Sequence, residues 1–302
     1  DNTTGKNNVS VGHDALANNT TADNNTAVGK DALLENTTGR QNVAVGSTSL
    51  DANTTGENNI AIGHDALSAN TTASENTAVG SFALNANTTG TANTALGLYA
   101  LINNTTASNN TAIGRGALLA NTTGTRNTAV GASSADAVTT GNYNNAFGYA
   151  ALTSATTASG NTAIGDSVMA STTTGSRNIG IGTFDGSLLP ALYANTTALG
   201  NYSMNTNTTS HRNTAVGYNV LSAHNRTDGA NGYNTAMGFQ AMSDNTTGQQ
   251  NTAIGALALD ASGSFDSCTA VGFQALSANT SGLENVAVGK NALLDASTAS
   301  YN

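Results

Sequence analysis

NTAVGKDALLENTTGRQNVAVG, Asn25–Gly46, closes on the phrase with which it opens. Gly29 and Gly46 stand 17 residues apart, and each follows an apolar residue, an alanine and, four places back, an asparagine. Anchored on that glycine, the phrase recurs from Gly12 to Gly289 through sixteen intervals, fourteen of them 17 residues long. The exceptions are an extra residue near Pro190 and four extra residues near HNRTDGANG, His224–Gly232. Both interrupt the register without ending it, so the chain reads as one continuous repeat domain over residues 1–302, a segment of a longer fibre.

Each column of the repeat has its own chemistry. The residue before the glycine is always apolar, and alanine stands two before it in all coils except those of Ser10 and Gly180. Leucine or methionine dominates four after it, and an NTTG or NTTA segment follows. The alternation Thr26-Ala27-Val28, β-branched and bounded by asparagine and glycine, predicts a short strand. A fixed cycle of short strands with no helical apolar face predicts an all-β fold, a single parallel β-solenoid (β-roll) of about 17 coils. With strands about 4.8 Å apart, the stack would run for roughly 80 Å.

Alternation places Thr26 and Val28 on one face and Ala27 on the other. The expected core is Val28, Val45 and Val79, met from the opposite wall by Leu33, Leu50 and Leu84. Burying one such side chain yields about 1.5–3 kcal/mol, whereas fixing each residue costs about 1–2 kcal/mol. A coil is therefore stable only when stacked. Asn25, Asn42, Asn59, Asn76, Asn93 and Asn110 form a column whose amides are expected to bond coil to coil. Ala27, Ala44, Ala61, Ala78 and Ala95 then face outward. A small residue kept along a whole outer face is the candidate contact with another chain, against the alternative that alanine points into a tight turn or was copied by duplication.

Composition excludes several classes of function. The net charge is −9, and nine Lys and Arg are spread along the chain, so there is no basic stripe to hold nucleic acid. No run approaches the length of an apolar membrane span. Cys268 is alone and sits in the asparagine column, where a small buried substitute is expected rather than a nucleophile. GIGTFDG, Gly180–Gly186, misses the dinucleotide fingerprint by one residue. His13-Asp14 and His64-Asp65 share a column three coils apart, about 14 Å by strand spacing, too far to share a metal. No cofactor, metal or catalytic constellation is expected. NTT occurs eleven times and fits the N-glycosylation pattern, but ten copies share one phase, which favours a structural turn of stacked asparagine and threonine.

NNTAVG (Asn24–Gly29), NNTAIG (Asn109–Gly114) and NTAIGALAL (Asn251–Leu259) resemble the head repeats of trimeric autotransporter adhesins. They are also similar to repeats of phage tail fibres and related surface proteins, which often end in an endosialidase-type chaperone; no such segment is visible after Gly289. The resemblance implies a left-handed β-roll, identical chains side by side as a homotrimer or filament, and a place outside the cell, on a cell or virion surface. The adhesin repeats are shorter than 17 residues and lack the added NTTG segment.

The leading expectation is a non-enzymatic fibre, an adhesin head or stalk or a tail-fibre shaft, with a host surface or glycan as its ligand. Variability concentrates at the two positions after each glycine and in the four-residue insertion, whose His224, Asn225, Arg226 and Asp228 are the candidate exposed loop. The alternative is an ice-binding solenoid that displays columns such as Thr20, Thr37, Thr54, Thr71 and Thr88. Two adjacent threonines of one strand would point to opposite faces, leaving one outward per coil. A polysaccharide-cleaving solenoid would need clustered acids that the sequence does not place together.

Overall fold

A computed structural model describes residues 2–182, 195–207, 210–226, 228, 230–261 and 263–302. The extra residue expected near Pro190, and the end of the GIGTFDG stretch, lie outside the described residues. The fold is a parallel β-solenoid, and the chain divides into two compact units, Asp1–Thr157 and Ala158–Asn302. Among the described residues there is no helix.

The first unit carries nine three-residue strands: β1 (Val9–Val11), β2 (Thr26–Val28), β3 (Val43–Val45), β4 (Ile60–Ile62), β5 (Thr77–Val79), β6 (Thr94–Leu96), β7 (Thr111–Ile113), β8 (Thr128–Val130) and β9 (Asn145–Phe147). Each pairs in parallel with the next, residue for equivalent residue, as in Thr26↔Val43, Ala27↔Ala44 and Val28↔Val45. The second unit repeats the plan with β10 (Thr162–Ile164), β11 (Ile179–Ile181), β12 (Thr197–Leu199), β13 (Thr214–Val216), β14 (Thr235–Met237), β15 (Thr252–Ile254), β16 (Thr269–Val271) and β17 (Val286–Val288).

The strand is only a fifth of each coil; turns make the rest. The corner glycine is needed twice over. Gly29 has φ 140, and a Cβ on it would lie 2.4 Å from the carbonyl oxygen of Gly46. Beyond the corner, non-glycine residues adopt the left-handed conformation at fixed places, as in Asp31 (φ 58) and the buried Leu33 (φ 54). An isolated L-residue pays about 1–2 kcal/mol for that geometry. The recurrence of the same φ at Leu50, Leu67, Leu84 and Leu101 shows that stacking imposes it coil after coil.

Which side of the strand is inside is the main correction to the sequence. Ala27, Ala44, Ala61, Ala78 and Ala95 are fully buried, whereas Val28, Val45 and Val79 are half-exposed. The alanines therefore line the interior and the valines face out. The reason is width. Leu33, Leu50 and Leu84 are fully buried, and the central residue of the strand, opposite them, has room for one methyl. Each coil closes on six inward residues, which for one coil are Asn25, Ala27, Ala32, Leu33, Asn36 and Gly39.

Candidate functional site

Two buried asparagine ladders hold the coils together. In the first, the Oδ1 of each asparagine accepts the backbone N–H of the next: Asn25 to Asn42 at 2.9 Å, Asn42 to Asn59 at 2.9 Å, Asn59 to Asn76 at 3.0 Å, Asn76 to Asn93 at 3.0 Å and Asn93 to Asn110 at 3.0 Å. Each Nδ2 reaches across its coil to a backbone carbonyl, as Asn25 does to Gly39 at 2.9 Å. Cys268 stands in this column. Its N–H keeps the bond to Asn251 Oδ1 at 2.8 Å, and burial pushes its thiol pKa up, away from nucleophilic character.

The second ladder is built by the asparagines of NTT. Asn36 Nδ2 donates to Asn19 Oδ1 at 3.0 Å and to the Gly39 carbonyl at 3.0 Å, and Asn53, Asn70, Asn87, Asn104 and Asn121 repeat the pattern. These amides are buried with both Nδ2 hydrogens engaged, so the folded chain offers them to no glycosyl transfer. The two threonines that follow depart from expectation. They lie in a bend rather than in a strand, and both reach the surface: Thr38, Thr55, Thr72 and Thr89 are exposed and Thr37, Thr54, Thr71 and Thr88 half-exposed. The first hydroxyl of each pair is anchored, since Thr37 Oγ1 donates to the Thr54 carbonyl and Thr54 Oγ1 to the Thr71 carbonyl, both at 3.0 Å. Threonine pairs stand at every coil from Thr3-Thr4 to Thr156-Thr157.

The strand's outer positions form an aliphatic stripe. Ile60 and Ile62 are 38% and 39% exposed, Leu96 45%, Met237 46% and Ile254 41%. Among the described residues, no charged side chain stands at either outward strand position in any coil.

The insertion also differs from expectation. His224 is fully buried. Counted from Gly217 it takes the seventh place, where Gly29 has Asn36, so a histidine replaces a rung of the second ladder. Its Nε2 lies 3.0 Å from Ser210 Oγ, which accepts a 2.9 Å bond from Asn213 Nδ2, while Nδ1 has no partner. A serine beside a histidine is the geometry of an activated nucleophile, but both are sealed, with Ser210 only 2% exposed, and substrate has no access. Burial, aided by the Arg226 guanidinium, lowers the His224 pKa to about 4. Arg226 folds back as well: its side chain is 14% exposed, and it donates to the Thr247 carbonyl and pairs with Asp228 at 2.7 Å. Asn225 is half-buried, and its N–H bonds the Thr246 carbonyl at 2.8 Å. Of the four expected loop residues, only Asp228 is fully at the surface. Thr227 and Gly229 lie outside the described residues.

His13 and His64 remain in separate coils, but stacking brings Asp31 of the next coil toward His13. Nδ1 of His13 is 3.1 Å from Asp14 and 3.8 Å from Asp31. The three could ligate a cation. Lys30, however, pairs with the same Asp31 carboxylate and holds its pKa below the usual range. No family model, no curated protein and no solved structure matches this chain.

Proposed function

We propose that this chain is a non-enzymatic structural repeat of an extracellular fibre, on a cell or virion surface, in which identical chains lie side by side as a homotrimer or filament. The observation that carries this reading is the aliphatic stripe along the outer face of the strands. An apolar face that recurs in coil after coil, on a protein with a net charge of −9, leaves one kind of surface on which two copies meet without like-charge repulsion. A host surface or glycan would then be met by the variable positions after each corner glycine. Sedimentation equilibrium tests the assembly: the wild type should exceed the 30.0 kDa of one chain, and Val45→Arg with Ile62→Arg should return it toward that mass. A wild type that stays monomeric at every concentration would remove the reading.

A second reading is supported by the threonine pairs. β-Branched side chains are stiff, and coils about 4.8 Å apart would hold two outward columns of hydroxyls and methyls in a regular array, suited to binding the ordered water of ice. Thermal hysteresis that disappears in Thr55→Lys with Thr72→Lys would favour it; no hysteresis in the wild type would end it.

A further inference from the structure

In the second unit the aliphatic stripe is bordered by a row of rings. Tyr202 and Tyr218 meet edge to face with centroids 5.4 Å apart, and Tyr218 and Phe239 stack at 5.7 Å and 8°. The rings are not there to fill the core. Tyr218 is 48% exposed, Phe239 51% and, two coils further on, Phe273 44%. They stand one or two residues after a corner glycine, with Leu199, Val216 and Met237 one residue before it. From Thr197 to Gln274, neither the outward strand positions nor the two positions after each corner glycine carry a charge. The first unit differs at the same places: Lys30, Asp31, Asp65 and Arg115 border its stripe.

Resting on the reading of the stripe as a contact between identical chains, we propose that this contact is centred in the second unit, on Tyr218, Met237 and Phe239, and that its occupant is the same unit of a second copy. Three arguments favour a second copy. The surface repeats with the coil, so a partner that matches it along its length must repeat with the same step, and this chain does. The protein's negative charge lies off the patch, so copies that repel elsewhere are not opposed here. The area suffices as well. A whole aromatic side chain presents roughly 200 Å², so the three half-exposed rings leave about 300 Å². The aliphatic neighbours supply about as much again, close to the roughly 800 Å² per partner of a standard interface. Aromatic side chains concentrate binding energy where they are desolvated, which makes the ring row the centre and the bare aliphatic stripe of the first unit its weaker extension.

The experiment compares three full-length variants by sedimentation velocity over a concentration series, each checked by dichroism and urea midpoint. Tyr218→Ser with Phe239→Ser removes two rings that make only surface contacts. Ala256→Arg places a charge in the row between Phe239 and Phe273 without removing a ring. Ile62→Ser with Val79→Ser treats the first unit equally. The proposal expects the ring pair and Ala256→Arg to weaken association by about 100-fold or more, and the first-unit pair by less than about 10-fold. Equal weakening by the two serine pairs, or a larger effect in the first unit, overturns the assigned centre while self-association stands. A monomeric wild type overturns both.

Discussion

Asn121 Oδ1 is buried and accepts no hydrogen bond, because the residue one coil on, Val138, has no amide to offer it. Asn121 still donates to Asn104 Oδ1 at 2.9 Å, so the second ladder ends there with a spare acceptor. A mid-ladder residue differs: Asn70 donates to Asn53 Oδ1 at 2.9 Å and accepts from Asn87 Nδ2 at 3.2 Å. Asn70→Val strips a donor from Asn53 and an acceptor from Asn87, whereas Asn121→Val strips only the donor to Asn104. Asn70→Val should therefore cost more than Asn121→Val by about 1–3 kcal/mol, the cost of one unsatisfied buried group. Urea denaturation of both variants measures the difference, and equal costs would mean that the amide chain is not what binds the coils.

The inward alanine and outward valine predict opposite responses at adjacent positions. Ala78→Val adds two methyl groups against Leu84's wall and should destabilise by about 1–3 kcal/mol through overpacking. Val79→Thr, which only changes a half-exposed position, should stay within about 0.5 kcal/mol. The reverse order of urea midpoints would turn the strand over.

Glu75 is exposed and held at φ 65, while Asn7, Asn24, Asn58 and Asn109 occupy the same place in their coils at φ 58 to 63. Asparagine tolerates the left-handed region better than glutamate. Glu75→Asn should raise stability by up to about 1 kcal/mol, read as a higher thermal midpoint; a lower one would show that the glutamate side chain holds the turn.

His224 makes stability depend on pH. Folding lowers its pKa from 6.5 to about 4, so in that window the unfolded chain binds a proton that the folded chain refuses. The contribution is complete above pH 6.5, declines as pH falls toward 4, and is flat below; it amounts to roughly 3 kcal/mol. Burial raises the Asp51 and Asp260 pKa values, which acts in the opposite sense but equally in both proteins compared. His224→Asn restores the ladder residue and should flatten the wild-type-minus-variant difference above pH 6.5 and shrink it steadily between 6.5 and 4. A difference independent of pH would place the imidazole in water.

The repeat length, the strand positions, the leucine wall and the first asparagine column were all legible in the sequence, because each is fixed by periodicity and by what a rung must offer its copy. The facing of the strand was not. Alternation groups Thr26 with Val28 against Ala27 but says nothing of which group is inside, and the usual rule that the larger apolar residue goes in fails where Leu33 already fills the width. Left-handed leucines leave no trace in composition. His224 escaped because four inserted residues can be placed anywhere in their coil, yet counting seven from Gly217 reaches it, as counting seven from Gly29 reaches Asn36. The threonines were assigned by strand alternation in a segment that bends.

The closed inward set has a consequence for how such a chain changes length. Asn59, Ala61, Ala66, Leu67, Asn70 and Ala73 offer their neighbours the same donors, acceptors and contours as the corresponding residues one coil earlier. Excising any 17 consecutive residues from the regular part of the first unit brings together two faces that already fit, wherever the cut is made. Length is thus adjustable in whole coils by in-frame duplication or loss of 51 nucleotides, whereas a cut of any other size must turn a buried amide outward.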